Sequence, residues 1–185
     1  WKMTGIEGQL RSDFAMRNFH LDITAGAVEV QSTDIAKAPM RFVPIETTMV
    51  LKPRRLEIKE FSVGGTIGHI ALHGQIDDPE VPTLALHADV RSTVDDLRVL
   101  RIVNNMPVSI EDFHGKVHLK GEIVGTWPDV RTRGIFGVGD FRTAEIALGH
   151  PRGRFNLTQG SLTVKDLSTD LFDGRLYGKV NMHWH

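Results

Sequence analysis

Leu56-Glu57-Ile58-Lys59-Glu60-Phe61 alternates apolar and charged side chains, then breaks step by setting an acid before its last apolar residue. Alternation at a period of two marks a strand with one face buried and the other wet. The pattern returns as Val108-Ser109-Ile110-Glu111-Asp112-Phe113 and as Leu162-Thr163-Val164-Lys165-Asp166-Leu167. Each copy is followed by a glycine-led strand, beginning at Gly68, Gly115 and Gly174. After the first two comes a turn, Asp77-Asp78-Pro79 or Gly125-Thr126-Trp127-Pro128-Asp129, and then another alternating strand. Units spaced in this way cannot bury their apolar faces singly and must stack side by side.

The same alternation runs through Ile70-Ala71-Leu72, Leu84 to Val90, Val117-His118-Leu119 and Val180 to Trp184, with Gly, Asp and Pro between the runs. That is the pattern of a meander of short strands. One stretch departs from it. Ser92-Thr93-Val94-Asp95-Asp96-Leu97 offers a cap and early acids, and Val94, Leu97, Leu100 and Arg101 follow at helical spacing. The expected fold is therefore mostly β: an elongated, curled antiparallel or mixed sheet of repeated units, open or taco-like. One short amphipathic helix is expected near residues 93–103. Residues 1–185 read as a single repetitive domain with units near 28–90, 104–148 and 149–185. Trp1 opens the chain without an initiator Met and a strand-like pattern closes it, so a segment of a longer chain is expected.

Apolar residues make up 41% and charged residues 24%, the balance of a chain that builds a core. Net charge is −1 without a long run of one sign, which argues against a nucleic-acid partner. The longest basic cluster, Lys52-Pro53-Arg54-Arg55, reads as a solvated turn. There are no cysteines, which removes thiol chemistry, disulfides and Cys-based zinc sites.

Nine histidines raise a metal site. His69 and His73, like His114 and His118, share a strand face but stand about 13 Å apart, too far for one ion. No nucleophile elbow occurs, and Gly137-Val138-Gly139 is too short for a phosphate loop. Glu60, Asp112 and Asp166 recur where corners between strands are expected, with turn and capping roles. Active sites are singular, whereas these features repeat. A non-enzyme without cofactor or metal is expected.

The unit of strand, acid-apolar corner, glycine-flanked strand, proline turn and strand resembles the AsmA-like superfamily, including the TamB-type proteins. Gly160-Ser161-Leu162-Thr163-Val164-Lys165-Asp166-Leu167 running into Asp173-Gly174-Arg175-Leu176 carries the likeness. So does Gly125-Thr126-Trp127-Pro128 leading into Gly134-Ile135-Phe136-Gly137-Val138. It covers roughly residues 28–185. The resemblance implies a periplasmic β-groove of the cell envelope, its parent anchored in the inner membrane by a helix outside this segment. It implies phospholipid transport between inner and outer membrane, or outer-membrane biogenesis, with outer-membrane assembly proteins as possible partners and no catalytic residues.

Strand parity supplies the expected apolar lining: Leu56, Ile58, Phe61, Ile70, Leu72, Leu84, Leu86, Val117, Leu119 and Ile123. It continues with Phe136, Val138, Leu157, Leu162, Val164, Leu176 and Val180, and Val28, Val30, Val90, Leu148, Phe155 and Met182 have the same parity. An acyl chain laid there gains about 0.8 kcal/mol per buried methylene. The same residues equally suit a dry core between two sheets. A second function on the same pattern is a β scaffold or chaperone that pairs its strand edge with client strands in outer-membrane protein assembly.

Overall fold

The computed structural model describes residues 2–12, 18–30, 40–78, 80–98, 112–143, 147, 149–171 and 174–183. The strands are β1 (Lys2–Ser12), β2 (Phe19–Val30), β3 (Met40–Lys52), β4 (Arg55–Gly65), β5 (His69–Asp77) and β6 (Thr83–Thr93). After helix α1 (Val94–Leu97) come β7 (His114–Thr126), β8 (Arg131–Arg142), β9 (Arg152–Thr158), β10 (Ser161–Leu171) and β11 (Gly174–His183). They form one sheet in chain order, β1 to β11, and every neighbouring pair is antiparallel. The sheet is not closed into a barrel. A meander of this kind follows from the short turns the sequence places between strands, since an antiparallel neighbour needs only a hairpin.

The repeated hexamer is a β-bulge. Ile58 faces Gly74 on β5 and Phe61 faces Leu72, so two residues of β4 stand against one of β5. In β10 the same slip falls between Val164 and Leu167, and Asp166 there takes φ 52°. Glu60 and Asp166 were expected at corners between strands; both instead lie inside strands, at the slip, because an extra residue can be absorbed there without ending the ladder. Of the middle copy, residues 108–111 lie outside the described residues.

Glycines let neighbouring strands close up. An ideal Cβ on Gly134 would lie 2.1 Å from the Lys120 carbonyl oxygen, and one on Gly121 would lie 2.6 Å from that of Arg133. At Gly74 (φ 137°) the gap to the Ala85 oxygen would be 2.2 Å. Only a residue without a side chain allows backbones this close.

The helix is one turn long and is fixed by its cap. Thr93 accepts from the Asp96 amide at 3.0 Å, and Asp96 accepts from the Thr93 amide at 3.2 Å. This is the reciprocal capping box that Thr93 and the acids promised. His114 at the start of β7 meets Asp95 at 3.1 Å, and Arg98 donates to the Phe113 carbonyl. The helix thus closes the sheet's end between β6 and β7. Leu100 and Arg101 lie outside the described residues.

Buried residues are few. One cluster holds Ala25, Val28 and Met40, with Phe42, Ile45 and Ile67 packed against it. Val50, Val63, Leu86 and Val94 are buried outside it, and no large side chain among the described residues is fully sealed from solvent.

Candidate functional site: an uncharged sheet face

Cross-strand register decides which side chains share a face, because residues directly opposite each other project the same way. One row crosses β4 to β11 by direct opposition: Phe61, Leu72, Ala88, Gly121, Gly134, Phe155, Val164, Val180. Beside it run Ile58, Gly74, Leu86, Ile123, Thr132, Leu157, Leu162 and Met182. Shorter rows hold Val63, Ile70, Val90, Leu119, Phe136 and Gly153; Leu56, Ile76, Leu84 and Gly125; and Ser92, Val117 and Val138. Leu176 joins the same face opposite Thr169, two places along β11 from Gly178, itself opposite Leu167. All seventeen residues picked by parity from Leu56 to Val180 therefore lie on one face. Val28 is buried in the small cluster, while Leu148 and the Val30 side chain lie outside what the structure describes.

No ionisable side chain stands in any of these rows. Eight strands spaced about 4.8 Å apart make the longest rows about 35 Å long. A sheet this wide could fold over and cover itself as a sandwich. Along this face Ile70, Leu72, Leu84, Leu119 and Phe136 are half-buried, Val63 and Leu86 are buried, and Leu176 and Val180 are exposed. Among the described residues the strands pack chiefly on their sheet neighbours, with α1 against β6 and β7. The close backbone approaches at Gly74, Gly121 and Gly134 lie on this face.

The opposite face carries the charge. Arg133 reaches Glu122 with two nitrogens at 2.8 and 3.0 Å, His118 meets Asp89 at 2.9 Å, and Lys120 meets the same carboxylate at 3.4 Å. Arg154 pairs with Asp166 at the bulge, and Arg175 with Asp170 at 2.9 Å. Burial would raise the Asp89 carboxyl, but hydrogen bonds from His118 and Lys120 outweigh it and hold it below the usual range. Glu122 is lowered chiefly by its hydrogen bond from Arg133.

Histidines meet across strands and not along one. His73 on β5 stacks on His87 of β6, ring centres 4.9 Å apart, and Glu122 of β7 lies opposite His87. These groups border a depression of about 710 Å³ on the polar face. It is a gap between upright polar side chains, open to solvent. Among the described residues no three potential ligands come close enough to hold a metal ion, and no helix is long and apolar enough to cross a membrane.

Comparison with known protein families, curated proteins and solved structures gives no match.

Proposed function

We propose that the chain offers its uncharged face to acyl lipids and works without catalysing a reaction. The observation that carries this reading is the segregation of charge. Across β4 to β11 every register row on one side is free of ionisable groups, and among the described residues no second layer covers it. An apolar face left partly open to water is costly and usually meets a partner. A lipid tail suits it because alkyl contact needs no hydrogen-bond donor and no matched shape. Neighbouring rows offer the tail nearly equal contact, so it can move along the sheet without leaving a deep well.

The AsmA-like resemblance adds the setting: the periplasm, a parent chain anchored in the inner membrane, and phospholipid passing toward the outer membrane. A second reading is a scaffold that adds client strands during outer-membrane assembly, through the exposed Leu176 and Tyr177 of β11. Photo-crosslinkers placed at Leu72 and Leu119 separate the two. Lipid adducts support the trough. Protein adducts without lipid would replace it with the scaffold.

A further inference from the structure

One rim of the sheet holds the connections β1–β2, β3–β4, β5–β6, β7–β8 and β9–β10, with tight turns at β3–β4 and β9–β10; the opposite rim carries α1. Nine large apolar side chains among the described residues are exposed. Three belong to the β11 edge, and Ile135 projects from the polar face. Four lie on the tight-turn rim: Leu10 at 68%, Leu51 at 51%, Val81 at 55% and Trp127 at 67%. Among the described residues the opposite rim has Val43, at 36%.

We propose that the tight-turn rim docks on a lipid bilayer surface, with Trp127 and Val81 as its inserted tips. Their turns adjoin, since the Trp127 amide donates to the Pro82 carbonyl at 2.9 Å. Successive turns on one rim are two strands apart, so the four residues recur about every 10 Å along an edge. A protein partner is bound through contiguous, closely packed anchors. Separate apolar points on a line fit a fluid interface, which closes around each of them and asks for no complementary shape. Tryptophan suits that depth because its ring is apolar while its N–H can stay hydrated.

The charges beside these tips are of both signs and largely paired, Arg54 with Asp78 at 2.7 Å and Arg55 with Asp77. The surface is therefore read by insertion and not by charge. Leu51 and Leu84 continue from this rim directly into the uncharged face, so docking would bring bilayer lipid to the start of the trough. Its purpose rests on the trough reading, though its test does not.

The test uses the Trp1→Phe, Trp184→Phe chain, which leaves Trp127 as the sole indole, and phosphatidylcholine vesicles with and without brominated tails. Binding, a blue shift of emission and quenching by the brominated tails are expected, unchanged by added salt. In the chain with all its tryptophans, Trp127→Ser with Val81→Ser should weaken vesicle flotation about tenfold or more. Unquenched emission, flotation that survives the double substitution, or binding that salt abolishes would each overturn the proposal. Uptake of a dispersed fluorescent fatty acid is measured alongside, and its loss in the parent chain would count against the trough and not against the rim.

Discussion

Ile58 and Phe61 lie three residues apart on β4, yet both stand on the uncharged face of the sheet. Strict alternation would send Phe61 to the polar side. The extra residue is taken up at Lys59, which has no register partner on β3 or β5. This gives a sharp expectation for deletions. Removing Lys59 leaves Phe61 two places from Ile58, so parity survives without the bulge. Removing Glu57 makes Leu56 and Ile58 adjacent and turns one of them outward. The Glu57 deletion should cost about 2 kcal/mol or more, and the Lys59 deletion clearly less. Urea unfolding midpoints decide; equal losses would refute the bulge as the device that keeps register.

Leu119 faces Phe136 across β7 and β8 near the middle of the uncharged face. Leu119→Asp puts a carboxylate where lipid tails would lie, at a half-buried site that water still reaches. Stability should fall by about 1–2 kcal/mol, while uptake of a fluorescent fatty acid should fall about tenfold or more. Leu119→Met keeps the apolar surface and should keep uptake. Circular dichroism confirms that both variants remain β. Undiminished uptake by the folded Asp variant would sink the trough.

Gly134 and Gly121 oppose each other where β7 and β8 close up. A methyl group on Gly134 would overlap the Lys120 oxygen, which belongs to backbone and cannot swing aside. Gly134→Ala should destabilise by about 2 kcal/mol or more, while Gly137→Ala, with open space around it, should cost well under 1 kcal/mol. Thermal unfolding of the two variants is the check. A harmless Gly134→Ala would mean that the sheet can flatten there.

Much of this arrangement was legible from the sequence because a strand has the simplest of periods. Leu84 to Val90 shows its face by parity alone, and the picked lining residues share one side. The short helix was legible from Thr93 and Asp96, whose side chains act locally. What parity cannot show is which strand lies beside which, or at what register. His73 and His87 become neighbours only through the β5–β6 pairing, while the visible spacing of His69 and His73 leads along the strand, where they cannot meet. Glu60 and Asp166 were misplaced for a related reason. An acid before an apolar residue looks the same at a corner and at a bulge until the partner strands are known. The close-approach glycines were equally mute, since Gly134 is short of room only because β7 lies against it.

Glu57 sits on the polar face between two lysines, accepting from Lys59 and from Lys52 at 2.9 Å. Their hydrogen bonds, Lys59's the larger, hold its carboxyl at about 2, against an ordinary glutamate value of 4.5. The folded state therefore prefers the charged form more than the unfolded chain does. The stability this contributes is fully present above about pH 4.5, declines below it, and is lost as pH falls through about 2. Carbon-detected NMR titration of the side-chain carboxyl should show a midpoint near the lower value. Lys59→Gln should move that midpoint up further than Lys52→Gln does, because Lys59 makes the stronger contribution. The Lys59→Gln chain should also lose less stability between pH 4.5 and 2 than the parent, having less of this preference to lose. A midpoint that stays near 2 without Lys59 would assign the shift to Lys52 and break the argument.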